Sequence, residues 1–383
     1  MQLFQQPSDR YGYYTVGNEK IYSKFEAVKR HQSTGQFPHW YFHDDVFASY
    51  DWSHEPEASL TDLYRARAQQ LREKYDYVVI CFSGGADSTN MLHAFLDNGI
   101  HVDEVVTWHT FEGNHNSSTH TDQEIARVTL PYMQKLQDAH PEIKFRVIDM
   151  TRPIYDFFQD TDNIDDTINQ LALPSPNSMA WTRPFMLDRF YLDYIHSGKK
   201  IGFVLGMEKP RVWQVDGRWC VRFLDVSNIF YIGSSAPTEM FYWSPELPPM
   251  LIKQAHIIKR YLEHATAQTP WVQHESSGLA CVDRNGQTLW LHRDGVSSLI
   301  YPTWDLSTFQ VEKTRSPVFI PNTTWLYDNE IDTTAKNYRN GILHFRDSIP
   351  EYWRNDTDDI FRGIRGTWSR PYYLDKQVVD ARA

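Results

Sequence analysis

Six consecutive residues, Ser83, Gly84, Gly85, Ala86, Asp87 and Ser88, have the types and spacing that grip a phosphate. Two adjacent glycines permit positive φ and let the backbone approach an anion closely. The two serines add hydroxyl donors. Asp87 is the odd member: a carboxylate beside a phosphate repels it unless a cation lies between them. It therefore implies Mg²⁺, with Asp87 as a ligand. A phosphate site also needs elements that aim these groups. Residues 77–82 are a continuous apolar, β-rich run, the pattern of a strand buried on both faces of a parallel sheet. From Thr89 to Leu96 the spacing turns helical, with Met91, Leu92, Phe95 and Leu96 on one side. A helix start leaves backbone N–H groups unpaired, and its dipole favours negative charge. Strand, glycine turn and helix start together predict an anion site.

The turn is not a Walker loop, since no Gly-x-x-x-x-Gly-Lys-Ser/Thr occurs in the chain. The string from Ser83 to Ser88 instead resembles the SGGxDS loop of the PP-loop ATP pyrophosphatases, a superfamily that includes asparagine, GMP, NAD and argininosuccinate synthetases, the small subunit of ATP sulfurylase, PAPS reductases and tRNA-thiolating enzymes. The resemblance implies an adenine nucleotide alpha hydrolase-like, Rossmann-like fold. It implies ATP and Mg²⁺ as cofactors, with pyrophosphate held by Ser83, Gly84, Gly85, Ala86, Asp87 and Ser88 while AMP passes to a substrate oxygen. It further implies a second glycine-led, charged motif after a later strand. Gly206, Met207, Glu208, Lys209, Pro210 and Arg211 look like it, with Lys209 and Arg211 facing the phosphates and Glu208 sharing the Mg²⁺ with Asp87. The end of the second strand, at Trp108 and His109, should touch adenine, and Arg183 is a further candidate for ATP or substrate contact.

Subfamilies are separated by residues this chain lacks. Position 2 is Gln2, so no amino-terminal glutaminase is expected. Cys81, Cys220 and Cys281 form no Cys-x-x-Cys pair and no Glu-Cys-Gly tail. Ala86 stands where sulfate-activating members usually carry Lys. The reading is therefore an adenylating ligase that activates a carboxylate or amide oxygen for attack by an amine or ammonia. The alternatives are a PAPS-reductase- or ATP-sulfurylase-like protein of sulfur metabolism, and a non-catalytic nucleotide sensor or structural protein. The whole chain resembles proteins labelled asparagine-synthase-like or PAPS-reductase-like in bacteriophage genomes.

The elements that must carry these residues are legible in part. Ser59 and Asp62 form a capping-box-like start, and Leu60, Leu63, Tyr64 and Leu71 give a helical apolar face whose Arg and Lys neighbours read as a solvated side. Strands are expected at 103–109, 144–150 and 201–206, and helices at 123–139 and 184–196. Strands alternating with helices predict a parallel α/β sheet with right-handed crossovers, its carboxyl strand ends facing one crevice. Three segments follow: an accessory region over 1–58, the nucleotide domain over 59–235, and a helical, hairpin-rich region over 236–383. The two flanking segments read as α+β additions.

Within the first, a hairpin around Gly17, a helix from Lys24 and an inward-packing aromatic run at 38–45 are expected. In the last, Lys253, His256, Lys259 and Arg260 lie off the apolar face of a helix over 249–264 and read as solvated. His109, His115 and His120 match no zinc spacing. A net charge of −11 gives no global nucleic-acid footprint. No apolar run approaches the ~20 residues of a membrane span. No signal peptide is expected, and isolated cysteines suit a reducing compartment. The expectation is a cytoplasmic protein (the host cytoplasm, if phage-encoded) that uses ATP and an unidentified acceptor, with a homodimer as the expected assembly.

Overall fold

The computed structural model describes residues 9–109, 125–149, 190–207, 209–225, 237–268, 271–274, 278–282, 288–290, 296–302, 304, 349–354 and 365–376. An arm of short elements comes first: strands β1 (Tyr13–Val16) and β2 (Glu19–Ile21), helix α1 (Lys24–Thr34), strand β3 (His39–Tyr41) and helix α2 (Asp44–Phe47). The strands form an antiparallel sheet in the order β2-β1-β3. The hairpin and the helix are where the sequence put them. Ser23 Oγ caps α1 by accepting from the Glu26 N–H, and Gly35, at φ 73°, ends it. The aromatic run packs inward as expected. Trp40, Phe42 and Phe47 are fully buried, and Phe42 and Phe47 lie against Phe223.

The core follows as helix α3 (Leu60–Lys74), strand β4 (Tyr77–Cys81), helix α4 (Ala86–Leu96) and strand β5 (Glu104–His109). A π-helical turn (Ile125–Thr129) then leads into helix α5 (Leu130–Ala139), followed by strand β6 (Lys144–Asp149), helix α6 (Leu192–His196) and strand β7 (Ile201–Leu205). Strands β8 (Arg211–Val215) and β9 (Arg218–Arg222) make an Asp-Gly hairpin, with φ 51° at Asp216 and 72° at Gly217. The remaining elements are strand β10 (Thr238–Met240), helix α7 (Pro248–Gln268), strands β11 (Trp271–His274), β12 (Gly278–Val282) and β13 (Thr288–Trp290), helix α8 (Val296–Ile300) and strand β14 (Tyr372–Tyr373). β11, β12 and β13 form an antiparallel sheet, and β14 pairs with β9.

Five strands make one all-parallel sheet in the order β10-β7-β4-β5-β6. The central strand, β4, is buried at every residue, as its unbroken apolar run requires. The fold is therefore α/β with a parallel-sheet core. The fifth strand, β10, was not anticipated, and it lies past residue 235. It is three residues long with a glutamate at its middle, so neither length nor hydropathy marks it.

Glu239 explains how that strand is tolerated inside. Its carboxylate meets Arg10 Nη2 at 2.6 Å, Arg67 Nη2 at 3.3 Å and Lys74 Nζ at 2.9 Å, and accepts from the Tyr75 hydroxyl. Arg67 corrects the expected solvated face of α3. It is fully buried, and it also donates to the carbonyls of Met240 and Phe241 and pairs with Glu246 at 2.6 Å. α7 brings a second correction. Lys253 pairs with Glu55 at 2.9 Å, His256 is buried with Nε2 3.0 Å from the Trp52 carbonyl, and Lys259 meets Asp375 at 3.1 Å. Those side chains tie α7 to the 52–56 stretch and the carboxy-terminal strand segment; Arg260, which pairs with Glu55, stays more than half exposed.

The Glu239 cluster predicts an acid response. Burial alone would raise its carboxyl, but Arg10 and Arg67 overcome that and hold it at about 2, against an ordinary value of 4.5. A depressed carboxyl contributes stability that is fully present above the ordinary value and is lost as pH falls through the depressed one. The unfolding free-energy difference between the protein and its Glu239→Gln variant should stay constant from pH 7 to about 5 and shrink steadily toward pH 3. Urea titrations at those pH values measure it. A difference unchanged at pH 3 would show that the cluster does not hold the charge this way.

Among the described residues, no helix is long and apolar enough to cross a membrane.

Candidate functional site

The chain lays down β4, β5 and β6 outward in one direction, then returns to place β7 on the other side of β4, with β10 beyond it. The order therefore reverses between β4 and β7. In open parallel sheets the loops leaving the strands on either side of such a reversal diverge, which opens a crevice at their carboxyl ends. The 83–88 turn leaves β4 and the 206–209 turn leaves β7, so both flank that crevice.

The 83–88 turn is internally tied. The Ser88 hydroxyl accepts from the Ser83 N–H at 3.2 Å and donates to the Gly85 carbonyl at 3.1 Å. Ser83 Oγ lies 3.1 Å from Ser88 Oγ and accepts from the Gly85 N–H. Gly84 adopts φ 73°, and a Cβ there would sit 2.6 Å from Thr129 Oγ1, so both conformation and space require glycine. Thr129 closes over the turn and donates to the Ser83 carbonyl at 2.8 Å. α4 begins at Ala86, and its N-cap, Gly85, supplies no side-chain cap. No capping side chain therefore takes up its first-turn N–H groups, and Ser83, just before them, is exposed.

Gly206 comes against this turn. A Cβ on it would lie 2.8 Å from both the Asp87 carbonyl carbon and the Ser88 nitrogen, so the two turns touch backbone to backbone. Lys209 then reaches across. Its ammonium donates to Asp87 Oδ1 at 2.6 Å, and its own carbonyl accepts from Trp243 Nε1 at 3.3 Å. Residues more than 115 positions apart in the sequence meet as the strand topology predicts.

Two tyrosines that sequence reasoning missed complete the surroundings of Asp87. Tyr301, directly after α8, donates to Asp87 Oδ1 at 2.5 Å. Tyr242, just past β10, donates to the Asp87 carbonyl at 2.9 Å and accepts from Asn90 Nδ2 at 2.9 Å. Their rings lie 5.4 Å apart, beside Tyr64, whose hydroxyl donates to the Ile300 carbonyl at 2.6 Å. Burial, reinforced by the Asp87 carboxylate, holds the Tyr301 hydroxyl well above its ordinary value. The same holds for Tyr242, with Tyr64 adding to it. Both stay protonated and act as donors. Nothing local distinguishes Tyr301 among 22 tyrosines, and Tyr242 follows the strand that was not anticipated.

The other predicted residues lie on neighbouring elements or outside the described residues. Arg211 is the first residue of β8, with its guanidinium 5.8 Å from the Trp368 ring centre. Trp108 and His109 end β5, in register with Ile148 and Asp149 of β6, at the same sheet edge as the crevice. Arg183, Glu208, His115 and His120 lie outside the described residues.

Among the described residues, no group of three or more His, Cys, Asp or Glu could hold a metal ion. The chemistry of Asp87 fits Mg²⁺, which keeps several waters and is held by one or two carboxylates together with substrate phosphates. Both hydrogen bonds to the Asp87 carboxylate fall on Oδ1.

The chain matches no protein-family model, and no curated protein sequence matches it.

Proposed function

We propose that this protein binds ATP in the crevice between β4 and β7 and cleaves it to AMP and pyrophosphate, adenylating an acceptor oxygen in the manner of the PP-loop ATP pyrophosphatases. The observation that carries the proposal is the meeting of the 83–88 and 206–209 turns at the reversal of strand order, joined by the Lys209–Asp87 pair. In this reading the first-turn N–H groups of α4 and the Ser83 hydroxyl donate to the β,γ-phosphates. Lys209 neutralises the charge that builds on the departing pyrophosphate, a preorganised contact in a partly buried site. Asp87 is the residue that would hold Mg²⁺, which supplies charge neutralisation between the phosphates when bound. The acceptor is a carboxylate or amide oxygen, and its binding region is left to segments beyond the sheet.

The test is direct. With an α,β-non-hydrolysable ATP analogue, a crystal structure should show the β,γ-phosphates on the 83–88 turn. Incubation with ATP and a metabolite pool should yield AMP and pyrophosphate. Lys209→Met should weaken ATP binding by roughly 10- to 100-fold, the equivalent of one lost charge-assisted contact of about 1.5–3 kcal/mol. Nucleotide found elsewhere, or no binding by calorimetry, would sink the reading. ADP plus phosphate as products would point to another chemistry, and ATP held without turnover would favour a nucleotide sensor.

A further inference from the structure

Asp87 Oδ1 accepts from two donors at once, the Lys209 ammonium at 2.6 Å and the Tyr301 hydroxyl at 2.5 Å. They differ in freedom. Lys209 sits on a flexible four-carbon stem in the turn after β7, at the mouth of the crevice. Tyr301 is fully buried. Its N–H donates to the Ser297 carbonyl at 2.9 Å, its ring lies against Tyr242, and the preceding Ile300 carbonyl is held by Tyr64. Tyr64 in turn accepts from Gln254 of α7 at 2.9 Å. One donor can leave while the other cannot.

Resting on the nucleotide-binding reading above, we infer that Tyr301 is a positioning residue that keeps the Asp87 carboxylate satisfied and in place when Lys209 leaves it for an incoming polyphosphate. The Lys209–Asp87 pair closes on itself across the two turns. A phosphate entering the 83–88 turn offers Lys209 a more highly charged partner. Asp87 then loses one of its two donors while partly withdrawn from water, which is costly for a carboxylate unless a hydrogen bond remains. The Tyr301 hydroxyl supplies that bond, and it strengthens as its competitor departs. The carboxy-terminal part of the chain is thereby built into the phosphate site, by way of a residue outside the parallel sheet.

The inference predicts a coupling. ATP affinity is measured by calorimetry in magnesium-free buffer for the protein, Tyr301→Phe, Asp87→Asn and the double variant. Phenylalanine keeps the ring and removes only the donor. Tyr301→Phe should weaken ATP binding about tenfold, since the carboxylate freed by Lys209 has no remaining donor. In the Asp87→Asn background the same change should matter less than about twofold, since no carboxylate is left to satisfy. A merely structural tyrosine would cost the same in both backgrounds, and that result overturns the inference, as does an unchanged affinity in Tyr301→Phe. If the unaltered protein binds no ATP, the nucleotide reading falls, and this inference falls with it. If it binds ATP and the coupling is absent, only the role of Tyr301 is lost.

Discussion

Replacing Asp225 by alanine should destabilise the protein by about 3–5 kcal/mol, the range for leaving a buried charge without its partner. Lys24, on α1, and Asp225, just after β9, are both completely buried, with Nζ and Oδ2 2.5 Å apart. The same carboxylate oxygen accepts from the Tyr14 hydroxyl at 2.9 Å, and Lys24 also donates to Thr367 Oγ1. Four segments thus converge on one ion pair: β1, α1, the end of the β8–β9 hairpin and the stretch before β14. Burial pulls the Lys24 ammonium down, and Asp225 opposes that fall. Without Asp225 the lysine must either stay charged with no counterion or release its proton. Urea unfolding at pH 7 measures the loss. The double variant Lys24→Met/Asp225→Leu should recover most of it, since well-packed apolar groups replace buried pairs at little cost. A loss under 1 kcal/mol in Asp225→Ala would mean that the arm is held by its aromatic packing instead.

That ion pair was not legible in the sequence, and the reason is general to this chain. Periodicity reports local elements, and here it reported them well. The apolar run of β4, the Ser59 cap, the Asp-Gly turn of the β8–β9 hairpin and the glycine that ends α1 each carry their signal within a few residues. The meeting of the 83–88 and 206–209 turns was also within reach, since parallel strands place all their carboxyl ends on one edge. What escaped were pairs whose meaning lies in the partner. Arg67 reads as surface until Glu239 is placed beside it, and Glu239 reads as surface until Arg10 and Arg67 surround it. Lys24 and Asp225 are 201 positions apart, and neither is unusual alone. Tyr301 is 214 positions from Asp87 and follows a helix of five residues. Side chains recruited from segments of such separation leave no spacing to read, although they determine how the crevice is lined.

Substituting Gly206 by alanine should reduce ATP binding and turnover by about 100-fold, the scale of loss from roughly 1 Å of misplacement in a phosphate site. The added methyl would lie 2.8 Å from the Asp87 carbonyl carbon, 2.8 Å from the Ser88 nitrogen and 2.9 Å from the Asp87 oxygen. These are backbone atoms at the start of α4, not ends of flexible side chains, so they can yield only by moving the turn. Any such shift drags the first-turn N–H groups of α4 and the Asp87 carboxylate together, and it separates Lys209 from both. Overpacking of this kind costs about 1–3 kcal/mol, so the variant should fold. Gly99→Ala is the matched comparison. Gly99 adopts positive φ, at 64°, which strains any side chain placed there, but a Cβ there meets nothing within 4 Å, and it lies at the far end of α4. It should lose a similar amount of stability and bind ATP normally. Thermal melts and calorimetry on both variants separate the two effects. If Gly206→Ala binds ATP within about threefold of the unaltered protein, the contact between the turns is not what aligns the phosphate site. The crevice would then have to be sought along β5 and β6, where Trp108 and His109 end their strand.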